Sequence, residues 1–70
     1  MTRKEMLNWI YENCNSRDNA KHYKIVKEKI GVKYYQELNI MQFLKIEYQN
    51  GDAYVFLSWL GKTYCEEFLK

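Results

Sequence analysis

Lys45-Ile46-Glu47-Tyr48-Gln49-Asn50-Gly51-Asp52-Ala53-Tyr54-Val55-Phe56-Leu57-Ser58-Trp59-Leu60-Gly61 decides the fold, because the hydrophobic period changes within it. Lys45 to Gln49 alternates polar and apolar side chains, the spacing of a half-buried strand. Asn50-Gly51 follows, and both residues tolerate the positive φ of a two-residue type I′ turn. Ala53 to Leu57 is rich in β-branched and aromatic residues, which predicts the returning strand. Ser58 then offers a hydroxyl to cap a helix over Trp59 to Leu69, with Leu60, Gly61, Tyr64, Cys65 and Phe68 on its apolar face. A parse that carries an upstream helix on to Gln49 conflicts with the alternation beginning at Lys45.

Upstream of the hairpin the spacing is helical. Thr2-Arg3-Lys4-Glu5 fits a capping box, and Met6, Leu7, Ile10 and Cys14 share a face, so a helix is predicted from Arg3 to Cys14. The polar run Asn15-Ser16-Arg17-Asp18-Asn19 ends it and supplies Asp18 or Asn19 as the next cap. Ala20 to Ile30 sets Tyr23, Val26 and Ile30 on one face and Lys21, Lys24, Lys27 and Glu28 on the other. Gly31 stands where a helix favours a left-handed residue just past its end. After Gly31-Val32-Lys33, a third helix is predicted over Tyr34 to Leu44. Tyr34, Leu38, Ile40, Met41 and Leu44 fall on one side of it, and Tyr35, Gln36, Asn39, Gln42 and Phe43 on the other. The expected class is mainly α with a small β-hairpin, as one domain over residues 1–70.

Composition bounds the function. A 70-residue chain buries only about 60% of its unfolded surface, so its core is thin. Hydrophobic residues at 47% and aromatics at 17% nevertheless argue against disorder. The longest apolar run, Tyr54 to Leu60, is interrupted by Ser58 and is too short to span a membrane. The first ten residues lack an apolar h-region, so no secretory signal is expected and the setting is read as cytoplasmic. Cys14 and Cys65 do not make a disulfide framework. Both lie on apolar faces and are expected to pack as small hydrophobes, although a single Cys14–Cys65 bridge stays open. The net charge of +2 does not announce nucleic-acid binding, and it argues against a polyanionic mimic of DNA. Cys14, His22 and Cys65 lack the paired spacing of a zinc site. No orienting third group or oxyanion donor accompanies a nucleophile, so no cofactor, metal or enzymatic activity is expected.

A helix pair joined by a tight glycine-containing turn and followed at once by a hairpin resembles the winged helix-turn-helix family (α-α-α-β-β-α), over nearly the whole chain. The sharpest part is Val55-Phe56-Leu57-Ser58-Trp59-Leu60-Gly61-Lys62-Thr63-Tyr64. It is similar to the strand, Leu-Ser/Thr-x-x-Gly, helix exit from the wing in many small bacterial and phage members. The hydroxyl caps the helix where the strand ends, and the glycine lets the helix lie close to its neighbours.

The resemblance implies a DNA-binding transcriptional regulator of bacterial or phage type, with its third helix in the major groove of double-stranded DNA. Base contacts would come from Tyr35, Gln36, Asn39 and Gln42, and phosphate contacts from Lys21, Lys24, Lys27 and Lys33. Asn and Gln can bond bidentately to adenine N6 and N7, which suits three amides on one helix. The wing would be Gln49 to Asp52, and its acidic tip implies little contact with DNA. A lone reading helix makes few contacts, so a homodimer on a two-fold site is expected. Trp9 and Trp59 are the candidate interface residues. Each feature also has a plain reading: a solvated lysine face, a neutral amide surface, tryptophans covered by neighbouring elements. The other function expected of such a scaffold is a protein-binding adaptor or inhibitor, which the modest charge, Asp52 and twelve aromatics favour.

Overall fold

Thr2 opens the first helix, α1 (Arg3–Asn13), through a reciprocal capping box. Its hydroxyl accepts the Glu5 N–H at 3.1 Å, while the Glu5 carboxylate accepts the Thr2 N–H at 2.9 Å. Two donors that a helix start would leave unpaired are thereby satisfied. Hydrogen bonding from Thr2 also holds the Glu5 carboxyl below its ordinary pKa. After Cys14 the chain makes a 3-10 turn, Arg17–Asn19, closed by the Ser16 N–H donating to the Asn19 side chain at 2.9 Å.

The next segment departs from the sequence expectation. Lys21 and His22 are not helical; they form a short strand, β1 (Lys21–His22). The helix α2 (Tyr23–Ile30) starts only where His22 Nδ1 accepts the Lys24 N–H at 3.2 Å. Gly31, at φ 86°, is both the end of α2 and the start of α3 (Val32–Ile40). Its N–H donates to the Lys27 carbonyl at 2.8 Å and its carbonyl accepts the Tyr35 N–H at 3.0 Å. The third helix therefore begins two residues before Tyr34. It also stops short of Leu44, because Gln42 adopts φ 62° and turns the chain into β2 (Leu44–Gln49). Asn50 and Gly51, at φ 52° and 84°, make the turn into β3 (Asp52–Leu57), and α4 (Trp59–Phe68) follows.

The computed structural model describes residues 1–69, which form these four α-helices and a three-stranded antiparallel sheet of order β1-β3-β2. The expected two-stranded hairpin thus gains a third strand, through Lys21 paired with Val55 and His22 with Tyr54. Register sets Leu44 opposite Leu57 and Ile46 opposite Val55, so one sheet face runs into the core. There Val55 and Leu57 meet Ile10, Cys14, Val26, Leu38 and Cys65. On the other face Phe56 is buried beneath the Arg17 guanidinium, 5.9 Å from its ring, and Arg17 pairs with Glu47 at 2.8 Å.

The start of α4 is fastened to the end of α3. Ser58 Oγ accepts the Gly61 N–H at 3.0 Å and donates to the Gln42 carbonyl at 2.7 Å, while the Ser58 N–H donates to the Phe43 carbonyl at 2.9 Å. Gly61 lies directly on the Phe43 backbone: a Cβ there would stand 2.2 Å from the Phe43 oxygen.

Cys14 and Cys65 are free, fully buried thiols, and burial pushes both pKa values from 9.0 up to about 11. Between those values the unfolded chain has lost thiol protons that the folded chain retains. The thiol contribution to stability is therefore complete below pH 9 and falls as pH rises towards about 11. Urea midpoints should decline across that window, less so in a Cys14→Ala/Cys65→Ala variant. Both thiols should resist iodoacetamide at neutral pH until denaturant is added.

Candidate nucleic-acid interface

The outer surface of α3 carries the carboxamides. Tyr34, Tyr35 and Leu38 turn inward, whereas Val32, Lys33, Gln36 and Ile40 are exposed and Asn39 is half-buried at the edge. Val32, Gln36 and Ile40 are four residues apart and share one row, so an amide is flanked by two apolar groups. That row suits a base edge, since side-chain amides pair with adenine and apolar groups meet the thymine methyl.

One of the expected base contacts is corrected. Tyr35 is only 6% exposed and cannot reach a base. Phe43, on the same expected side, is also buried, because α4 packs on it through Gly61 and Tyr64 where a helical wheel puts solvent. Gln42 is past the helix end, its backbone carbonyl accepting from Ser58 Oγ while its side chain stays exposed. Ile40 and Met41, expected in the core, are exposed where α3 terminates. Gln36 and Asn39 remain as the carboxamide pair on the helix.

The lysines divide in the same way. Lys24 and Lys33 are exposed, and half-buried Lys27 places its ammonium 5.2 Å from the ring centres of both Tyr23 and Tyr35. Lys21 belongs to β1 rather than to the expected helix, and its ammonium donates to the Asn19 carbonyl at 3.1 Å. Between Lys21 and Gln36 the chain holds five lysines and one carboxylate, Glu28, a local excess of four charges. Since the whole chain is +2, the rest is net −2. The charge is thus concentrated on α2 and the start of α3.

The carboxylate of α3 is paired with a cation from another element. Among the described residues the ion pairs are Arg3–Glu37 and Arg17–Glu47, His22 and Asp52 lie within hydrogen-bond distance, and no lysine takes part in these contacts. Arg3 grips Glu37 through both terminal guanidinium nitrogens, Nη2 at 2.8 Å. Hydrogen bonding from Arg3 holds the Glu37 carboxyl below its ordinary pKa and raises that of Arg3. This takes up the one carboxylate of α3. His22 Nε2 meets Asp52 Oδ1 at 3.2 Å, and its ring stacks on Tyr23 at 4.9 Å. The imidazole therefore ties the acidic hairpin tip to the start of α2, and the described residues hold no cluster of metal-binding groups.

Sequence reasoning missed the apolar flank of the hairpin. Ile46 and Tyr48, 40% and 76% exposed, follow Leu44 along one face of β2 after the core has ended. With Tyr23, Tyr35 and Ala53 they line an open groove of about 330 Å³. Strict alternation in β2 was the signal that could have found it. Of the candidate interface residues, Trp9 is half-buried against the core with the Lys29 ammonium 6.0 Å from its ring, while Trp59 is 79% exposed. No helix among the described residues is long and apolar enough to cross a membrane. Comparison of the chain with protein-family models, with curated proteins and with solved structures found no match in any of the three.

Proposed function

We propose that this protein is a small sequence-specific DNA-binding protein of winged helix-turn-helix type, a homodimeric transcriptional regulator that reads the major groove with α3. The observation that carries this reading is the pairing of an outward amide row with unpaired lysines. Gln36 and Asn39 stand on α3 with Lys33, and Lys24 and Lys27 stand on the adjoining α2. Phosphate contacts position a protein on the duplex and base contacts specify the sequence, so the two sets have separable effects. The hairpin tip carries Asp52 bound to His22 and takes a minor part.

Titration of labelled duplex DNA at several salt concentrations tests the proposal. Affinity should fall with a log–log slope of about −0.9 per neutralised phosphate. Lys24→Ala/Lys27→Ala should flatten that slope by about two and weaken all sequences alike. Gln36→Ala should instead cost about 1–3 kcal/mol on the preferred site only. Absence of binding at low salt would reject the proposal.

A second reading, a protein-binding module on the same scaffold, is favoured by the exposed Ile46–Tyr48 flank and its aromatic groove. It predicts that Tyr48→Ala abolishes capture of the partner, while DNA affinity is absent throughout.

A further inference from the structure

One side of α4 carries more apolar surface than a solvated helix needs. Gly61 and Cys65 face the core, and Leu60, Tyr64 and Phe68 follow on the adjoining stripe, four residues apart. Leu60 is 48% and Phe68 63% exposed. Tyr64 packs between Phe43 and Phe68, with ring centres 4.7 and 4.4 Å away, so the rings form a continuous row. Met41, exposed at the end of α3, joins that row across a groove of about 380 Å³. Trp59 stands at the edge, one residue round the helix from Leu60. Among the described residues three exposed large hydrophobics, Met41, Leu60 and Phe68, thus border this side of α4. Patches of this kind on a small protein mark a contact surface.

The rim indicates the occupant. Arg3 and Lys4 of α1 border the groove on one side, and α4 presents the exposed Glu67 beside Phe68. Arg3 is taken by Glu37, whereas Lys4 and Glu67 have no ion-pair partner among the described residues. In a two-fold contact across the aromatic row, Lys4 of each copy would face Glu67 of the other. An isologous contact requires this self-complementarity, and a partner of single charge would meet one matching rim and one opposing rim. We propose that the face built by Met41, Leu60, Tyr64 and Phe68 joins two copies of this chain. A standard interface covers about 800 Å² per partner, about one-sixth of the 4829 Å² surface here. Lys24, Lys27 and Gln36 are not part of this face. The contact supplies the dimer of the DNA-binding reading, yet it is tested without DNA, so the two fail separately.

Sedimentation equilibrium of the full chain should give twice 8.6 kDa at high micromolar concentration and return to 8.6 kDa on dilution. Leu60→Glu and Phe68→Glu should each raise the dimer dissociation constant about tenfold or more, with circular dichroism unchanged. Should these variants fail to fold, a charge swap on exposed positions decides. Lys4→Glu should weaken association, and adding Glu67→Lys should restore it. A monomer at high micromolar concentration overturns the proposal, as does association unaffected by Leu60→Glu and Phe68→Glu or a swap without rescue.

Discussion

Gly61→Ala is expected to lower stability by about 3 kcal/mol, enough to leave much of the chain unfolded. A core of this size contributes only about 3–5 kcal/mol of net stability. The sign is the informative part. In a solvent-exposed helix the same change stabilises by about 1 kcal/mol. Here the added methyl would stand 2.2 Å from the Phe43 carbonyl oxygen, a backbone atom that already accepts the Ser58 N–H. Backbone cannot rotate aside as a side chain can, so α4 must lift from the end of α3. Urea denaturation followed by circular dichroism measures the effect. An unchanged or raised midpoint would mean that α4 does not lie on Phe43. Ser58→Ala, which removes the cap at Gly61 and the bond to the Gln42 carbonyl, should cost about 1 kcal/mol.

Leu38→Ala should be comparably severe, at about 2–5 kcal/mol. Leu38 is 1% exposed and anchors the inner side of α3, two residues from Gln36 and next to Asn39. The loss of methyl groups there leaves a cavity that Val55 and Val26 cannot close without moving the sheet or α2. Leu38→Met keeps the volume and should cost less than about 1.5 kcal/mol. If α3 is the reading element, DNA affinity in Leu38→Ala should follow the folded fraction. Gln36→Ala should show the opposite pattern, with sequence preference reduced and stability within about 0.5 kcal/mol of the parent. Equal stability losses in both variants would contradict the placement of α3.

Much of this architecture can be read from local chemistry. The Thr2–Glu5 box, the Ser58 cap and the Asn50-Gly51 turn each depend on residues within a few positions of one another, and each is present in the structure. What cannot be read locally is set by distant partners. Two residues have no periodicity, and β1 exists because Lys21 and His22 lie against Val55 and Tyr54, more than thirty positions away. The end of α3 is invisible for another reason. Gln42 carries no signal for positive φ, so a helical wheel runs on through it and misplaces both Gln42 and Leu44. Tyr35 is misjudged because a wheel assumes one core-facing side, while α3 is covered both by helices and by the hairpin. Gln36, Lys24 and Lys33 were legible because exposed positions on a helix need only its period.

Gly31 joins α2 and α3 without a linker, since one residue ends the first helix and begins the second. A joint of one residue leaves no slack for the two rods to splay or close. The spacing between the ammonium groups of α2 and the amides of α3 is consequently a fixed gauge. If α3 reads DNA, adjustment on the protein side is small, and a duplex that departs from the gauge must itself bend to fit. Sequences that deform readily should accordingly be preferred even at base pairs the side chains never touch.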